Sequence, residues 1–520
     1  MNATRRQSWA LAQIAELSEV NPRLDKSEID DDLEVSFVPM PAVGAENGEI
    51  DVTAKRLFSE VKKGYTEFKE GDVLFAKITP CMENGKMAVV PKVHGGLGFG
   101  STEFHVLRPA IGIIAEYLYF YVSSKRFRAD AEHNMTGAVG QRRVSTGYLS
   151  QAELPVPPTA EQRRIVEKIE ELFSELDKGI ENLKQARTKL VVYRQALLKH
   201  AFEGKLTSDW RAAHSGLLES SDQLLACIRA EREARNQKQL ADWEKAVKKW
   251  VAATKKGPKP RKPREPKQMR PLANSVIEQL PSLPTSWAWD ALGWMTGGVE
   301  YGSASKSSKT GTHVVLRMGN LQNGSLDWSA LAFSSDADEV EQYILHPGDV
   351  LFNRTNSPEW VGKTAIYRGE YPALFAGYLI RINHSSKVVR SEYLNWFLNS
   401  PIAKQHGNTV KTDGVNQSNI NGDKLVNYPF PYCSLIEQDE IVRILEETMS
   451  LIDRSAEEIE INLQRSEALR QSILKKAFAG ELVPQDPANE TATALLTRIR
   501  AERAAQTTAP KRKILRLKKV

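Results

Sequence analysis

Two stretches of this chain are copies of one another. Residues Glu161 to Leu206 and residues Glu437 to Leu482 align without a gap at an offset of 276. Glu-Gln opens both stretches, and Ala201-Phe202-x-Gly204 near the end of the first returns as Ala477-Phe478-x-Gly480. A general helical composition does not generate that match. An internal repeat at fixed distance settles the architecture before any single residue does.

Each copy reads as one long helix. In the first, Ile169, Leu176, Leu183, Leu190 and Leu197 form one apolar row, and Ile165, Leu172, Gly179, Ala186 and Tyr193 form another. An apolar seam of period 3.5, flanked by charge, specifies a coiled coil. Thr159, just after Pro157-Pro158, is the expected cap, with Glu161 near the positive helix end and Gly204 as the stop. The rod is expected to be about 65 Å long and cannot bury its own seam. The second copy supplies the partner. There the matching rows are interrupted by Thr448, Ser455, Asn462 and Ser466, so a less regular second helix is expected.

The repeat continues into the globular parts. Gly71-Asp72-Val73-Leu74-Phe75 returns as Gly348-Asp349-Val350-Leu351-Phe352, Gly85-Lys86 as Gly362-Lys363, and Glu116-Tyr117-Leu118 as Glu392-Tyr393-Leu394. Gln141 matches Gln417, Leu149 matches Leu425 and Pro155 matches Pro431. Between these anchors the copies differ almost everywhere. One frame with two sets of loops is what two related binding modules for different targets require. In the first module the spacing predicts strands at Val35–Val38, Val73–Phe75, Met87–Val90 and Phe104–Leu107, a hairpin turn at Asn84-Gly85, and a helix over Glu116–Phe127.

Beyond the first long helix, Ser221–Trp250 is helical and highly charged, with Ser221 or Asp222 as cap. Its LLACIRAER at Leu224–Arg232 returns as LLTRIRAER at Leu495–Arg503. Lys255–Arg270 holds eight Lys/Arg and four Pro and reads as an extended or disordered spacer, with a grip on phosphates as the alternative reading. The expected architecture is α/β (α+β): two globular domains separated by two long antiparallel coiled-coil helices, with an internal pseudo-two-fold repeat. The boundaries are a first recognition domain at 1–156, a central helical region with its charged extension at 157–254, and a basic Pro-rich linker at 255–279. A second recognition domain follows at 280–432, then a C-terminal helical region at 433–506 and a basic tail at 507–520.

A chain of 520 residues exceeds what one core supports. The charge of +6 is compatible with nucleic acid without demanding it. Three cysteines, Cys81, Cys227 and Cys433, lie too far apart in sequence for a disulfide framework or a metal cluster, which points to a reducing cytoplasm. No signal peptide or membrane span is read.

Catalytic motifs are missing from the sequence. There is no phosphate-cradling loop, no dinucleotide loop, no zinc spacing and no aromatic-proline loop of an amino-methyltransferase. Glu83-Asn84-Gly85-Lys86 is the nearest approach to a nuclease set. Its repeat mate, Glu359 to Lys363, has a different spacing, so a turn is the better reading. No catalytic and no metal-ligating residue is assigned. What remains is binding chemistry. The candidate DNA contacts are Lys77, Thr79, Lys86, Gln141, Arg142 and Arg143 in the first module. In the second they are Asn353, Arg354, Thr355, Asn356, Lys363, Gln417 and Asn419, with Trp360, Lys411, Thr412, Asn416 and Ser418 beside them. Arg and Lys suit guanine edges and phosphates, and Asn and Gln suit adenine edges. Gln141 and Gln417 could equally be structural, because both modules keep them.

At this point the chain resembles the DNA specificity subunit of type I restriction–modification systems. The residues that carry the resemblance are Leu-Pro-Val-Pro-Pro-x-x-Glu-Gln at Leu154–Gln162 and Phe-Pro-Tyr-x-x-x-Glu-Gln at Phe430–Gln438. Each opens a long helix that ends in Ala-Phe-x-Gly and follows a variable module. The second copy departs in having Tyr432-Cys433 near the place of Pro157-Pro158. The resemblance implies two target recognition domains, each reading one half of a bipartite, asymmetric site on double-stranded DNA. It implies a ruler made of the two helices, docking of two methylation subunits that modify adenine in each half-site, and docking of restriction motor-nuclease subunits. By the same resemblance the chain holds no cofactor of its own, and S-adenosylmethionine, ATP and magnesium belong to those partners. The competing readings are a coiled-coil scaffold without DNA specificity and a fused methyltransferase or nuclease.

Overall fold

A computed structural model describes residues 9–138, 140–253, 259–263, 269–415 and 417–508. The tail Lys511–Val520 and Asn416 lie outside the described residues. The chain forms two compact units, Met1–Lys184 with Ile459–Val520, and Gln185–Glu458. Neither domain boundary at 156 nor that at 432 separates them. Both long helices, Thr159–Phe202 and Leu435–Phe478, are divided between the units.

The globular part of each unit stands on the same four-stranded antiparallel sheet. In the first unit the strand order is Ser18–Val20, Phe104–Pro109, Val73–Ala76, Met87–Val89. In the second it is Thr296–Tyr301, Leu379–His384, Val350–Asn353, Thr364–Ile366. The repeated Gly-Asp begins the central strand in both. Gly71 and Gly348 take φ of +80° and +95°, which favours glycine. The aspartate that follows closes the turn and holds an arginine from the neighbouring strand. Arg108 makes two 2.8 Å bonds to Asp72, and Arg381 Nη1 reaches Asp349 at 3.2 Å. A second sheet in each unit contains one parallel pair, Glu34–Val38 with Gly98–Gly100 and His313–Leu316 with Ala373–Phe375.

A two-stranded tie leads into each long helix. Ala10–Gln13 pairs with Glu153–Val156, and Ala288–Ala291 pairs with Pro429–Tyr432. The Glu-Gln that follows is buried for a reason visible in both copies. Gln162 Oε1 accepts from Ile114 N at 2.9 Å, and its Nε2 donates to the carbonyls of Pro157 and Gly112. Gln438 does the same with Arg390 N, Cys433 and Val388. One amide thus satisfies three main-chain groups where a loop meets a helix start.

The helix ends complete the cores. In the first unit Ile165 and Ile169 join Ile473, Leu474 and Ala477 from the end of the second long helix. In the second unit Ile441 and Leu445 join Leu197, Leu198, Ala201 and Phe202 from the end of the first. Each module is therefore closed by the far end of the other repeat's helix. Phe202 packs edge-on to Tyr393 and Phe397, at 5.2 and 5.3 Å. Phe478 does so with Tyr117 and Tyr121, at 5.4 and 5.1 Å. The glycine then reverses the chain. Lys205 N reaches His200 O and Glu481 N reaches Lys476 O, both at 2.9 Å, with Gly204 and Gly480 at φ near +70°. Next come Leu224 and Ile228 of the helix Ser221–Ala252, and Leu495 and Ile499 of the helix Ala492–Thr508, which cover the same cores.

Within each unit the two long helices run antiparallel. Arg164 contacts Pro484 and Asp177 contacts Arg470 in the first, while Arg194 bonds Asp453 and Thr207 bonds Glu437 in the second. One row of the expected seam holds in part: Ile165 is buried and Leu172 and Ala186 are half-buried, and residues one position further on join them. In the second helix Met449 is buried, and Ala456 and Leu463 are half-buried where Ser455 and Asn462 are exposed, while Thr448 and Ser466 stay half-buried as polar interruptions. In the first, Val166, Phe173 and Ile180 face inward, and Gly179 and Tyr193 are exposed. Both choices lie beside the Leu row at spacings of three or four, and only the partner decides between them.

Other local expectations change as well. Thr159 lies inside the first turn, and its hydroxyl donates to Gly112 O at 2.7 Å instead of capping. Ser220, not Ser221 or Asp222, caps the charged helix in a capping box with Gln223. Glu116–Phe127 is broken at Ser124 into Ala115–Ser123 and Lys125–His133, because the Ser124 hydroxyl caps the second piece. Val73–Ala76 and Met87–Val89 do form a hairpin, but through residues 77–86 rather than a tight turn at Asn84-Gly85. Part of the basic linker is packed: Trp243 Nε1 donates to Pro260 O at 3.1 Å. All three cysteines are free thiols, and burial pushes the Cys433 thiol well up. Among the described residues no helix is long and apolar enough to cross a membrane.

Candidate nucleic-acid interface

In the second module the chain leaves the central strand at Asn353 and enters a small antiparallel sheet of Thr355–Asn356, Ser418–Asn419 and Thr412–Asp413. This sheet brings together four sequence candidates, Thr355, Asn356, Gln417 and Asn419. Asn419 Nδ2 donates to Thr355 Oγ1 at 2.7 Å, and Asn356 Oδ1 accepts from Ser357 N at 2.8 Å. Gln417 is exposed at the hairpin turn, where its carbonyl accepts from Gly414 N at 2.8 Å.

Arg354 lies beside this sheet. Its Nε donates to Gly377 O at 2.8 Å, and its guanidinium sits 4.9 Å from the Tyr301 ring. Tyr301 and Tyr378 are both exposed here. Lys363 donates to Gln322 Oε1 at 2.8 Å and lies 4.1 Å over the ring of exposed Trp360. Burial and nearby Lys404 hold the Lys363 ammonium below its ordinary range. Amides, a cation held on an aromatic face, and exposed rings are groups that meet bases and phosphates.

Asn353 does not belong to this surface. It is completely buried, and its amide has no hydrogen-bond partner among the described residues. Its position as the last residue of a central strand points it into the core, so a direct DNA contact is withdrawn.

In the first module two loops are stitched together. Thr79 N donates to Arg142 O at 3.0 Å, and Val144 N donates to Lys77 O at 2.9 Å. Lys77, Thr79, Gln141, Arg142 and Arg143 therefore gather in one place, with Gln141 exposed. Carboxylates answer the arginines. Arg143 forks onto Glu103 at 2.9 and 2.8 Å, and Arg142 lies 3.7 and 3.6 Å from Glu83 and Glu132. The fork keeps both partners charged, with the Glu103 carboxyl held below its usual range and the Arg143 guanidinium above. Lys86 directs its ammonium inward to the carbonyls of Val43 and Met40, at 2.7 and 3.3 Å. That bonding makes it a strut for the loop at 40–43, which corrects its assignment as a DNA contact. Glu83 accepts from Thr79 Oγ1 at 3.0 Å, so Glu83 and Lys86 serve different local structures and do not assemble a nuclease set.

Sequence reasoning missed Tyr301, Tyr378 and Glu103. The tyrosines had a signal, since each adjoins a glycine, Gly302 and Gly377. A Cβ on Gly302 would lie 2.2 Å from Phe375 O, so these segments need glycine to cross closely enough to set the rings around Arg354. Glu103 had none, because its partner is 40 residues away.

A family model described as the type I restriction modification DNA specificity domain matches residues 7–185 and 300–464. Two curated relatives from Escherichia coli are similar over most of the chain. The type I restriction enzyme EcoAI specificity subunit is 27% identical, over 86% of this chain and 78% of its own length. The EcoKI specificity subunit of strain K12 is 26% identical over 96% of both. A solved HsdS subunit from Thermoanaerobacter tengcongensis covers 91% of this chain and 97% of its own, with 17% identity and a TM-score of 0.54. A chain from a structure of type I R-M system assembly and conformational transition covers 91% and 98%, with 18% identity and a TM-score of 0.63. At such identities the structural likeness concerns the fold.

Proposed function

The chain belongs to the family of type I restriction–modification DNA specificity subunits, and on that premise we propose that it selects a bipartite duplex site for a modification and restriction complex. The family is non-catalytic. In this reading each module recognises one half-site, and the two shared helices set the unspecified spacer between them. Methylation subunits, two per chain, and motor-nuclease subunits dock on the repeated helical scaffold. Adenine methylation and DNA cleavage are theirs, together with S-adenosylmethionine, ATP and magnesium, and the complex works in the cytoplasm.

One observation carries the proposal. The same frame presents two chemically different loop surfaces, amide and aromatic groups around Arg354 in one and carboxylate-answered arginines in the other. A pure scaffold has no use for that divergence, whereas an asymmetric two-part target requires it. Two weak readers on one support raise each other's effective concentration only when the separation matches. A half-site of a few base pairs discriminates by about 1–3 kcal/mol per mismatch, so two together reach a useful specificity.

The test has two arms. The complex of this chain with its methylation subunits should bind its target duplex with an affinity that falls steeply as salt rises. Salt-independent or absent binding would favour the scaffold. The chain alone, with labelled S-adenosylmethionine and that duplex, should transfer no label. Transfer would favour a fused enzyme.

A further inference from the structure

The hairpin of the second module carries an aliphatic tip that folding does not use. Val415 is fully exposed, at 100%. Directly beneath it the hairpin is firmly held. Buried Ser418 donates to Asp413, Asn419 is tied to Thr355, and Lys424 Nζ reaches Thr412 Oγ1 at 2.5 Å. Ile420, 1% exposed, anchors the returning strand in the core. The tip is thus an apolar side chain on a braced base, in the hairpin that also carries Gln417 and Asn419.

The first module has the same device in sequence. Thr136-Gly-Ala-Val139-Gly-Gln141 matches Thr412-Asp-Gly-Val415-Asn-Gln417 at the offset of 276. The base of that hairpin is also closed. Thr136 and Arg143 exchange main-chain bonds of 3.0 and 2.8 Å, and Gln141 N donates to Ala138 O at 3.0 Å. Valine recurs at this position of the sequence repeat although the surrounding residues have diverged. A residue that read a particular base would have diverged with them, so its role is common to both half-sites.

A two-stranded hairpin fits the major groove, and an aliphatic side chain on DNA either meets a thymine methyl or wedges at a base step. Only the second is independent of sequence. We propose that Val415 is a wedge that presses on a base step within the half-site read by the second module. This rests on the DNA-recognition reading above.

The experiment uses the full chain in complex with its methylation subunits, on target duplexes with 2-aminopurine placed at successive positions through the second module's half-site. Wild type should raise fluorescence at one step. Val415→Ala should abolish that rise and weaken binding about tenfold, as expected for loss of most of a buried valine side chain. Base preference and salt slope should stay the same, and Val415→Met should restore the signal. The tip is exposed, so neither variant threatens folding. A rise that survives Val415→Ala, or wild type that binds its target with no rise at any position, overturns the wedge and leaves the recognition reading standing. Wild type that shows no salt-dependent binding overturns both.

Discussion

Glu161 and Glu437 occupy one position of the repeat and live in opposite circumstances. Glu437 is fully buried and accepts from Thr207 Oγ1, Arg211 Nε and Trp287 Nε1 at 2.8, 2.9 and 2.8 Å. Glu161 is as deeply placed but, among the described residues, its carboxylate accepts from Trp9 Nε1 alone, at 2.9 Å, and burial raises its carboxyl above the usual range. A carboxyl with a raised folded pKa favours folding below the unfolded value and loses that contribution as pH climbs through the folded one. Glu161→Gln keeps an acceptor for Trp9 and removes the charge, so it should stabilise the chain at neutral pH, with the gain vanishing toward pH 4. Glu437→Gln strands Arg211 and should cost about 3 kcal/mol. Denaturant midpoints of both variants at several pH values check this. Equal shifts at the two sites would show that the environments do not differ as described. The sequence displayed both glutamates but not this difference, because Arg211 and Trp287 reach Glu437 across 226 and 150 residues.

At the scale of elements, the long helices and the motifs at their ends were legible, because each depends on neighbours within a few turns. The use of Ala-Phe-x-Gly was not. Nothing local reveals that Phe202 enters the second module's core and Phe478 the first's. The crossing makes a sharp prediction. Phe202→Ala should destabilise its core by about 3–5 kcal/mol, and hydrogen exchange should accelerate at 288–291 and 429–432 while 10–13 and 153–156 stay protected. Phe478→Ala should invert the pattern. Exchange that accelerated in the module preceding each helix would refute the arrangement. The seam teaches a related point. Its Leu row was readable, but its second row was right at Ile165, Leu172 and Ala186 and wrong at Gly179 and Tyr193, since two neighbouring faces were nearly equally apolar. Seven residues inserted after position 184 and again after 458 preserve the pairing and add about 10 Å. The tolerated spacer, read from methylated adenines in the DNA of cells carrying the system, should lengthen with both half-sites intact.

For the whole molecule, the doubling and the family were in the sequence, and so were most residues of the candidate surface. Thr355, Asn356, Gln417 and Asn419 do meet, although 64 residues separate the first from the last, because turn-forming polar runs are where a frame exposes its loops. Asn353 and Lys86 look the same in sequence, and burial or inward bonding removes them. Replacing Thr355 and Asn356 together should change the bases accepted in one half-site and leave the other as it was. A simultaneous change in both, scored by methylation mapping, would contradict independent modules.

The closing helix meets the opening strand region in the first unit. Arg500 bonds Glu16 across 484 residues, and Arg503 donates to Ala15 O. Arg229, its equivalent in the other unit, meets Asp290 across only 61. One joint is spanned by a short tether and the other by nearly the entire polypeptide. The fold is therefore indifferent to which of the two joints the gene chooses to connect: a chain opened in the basic tether and sewn together at the other joint would spell the same molecule from a different first letter.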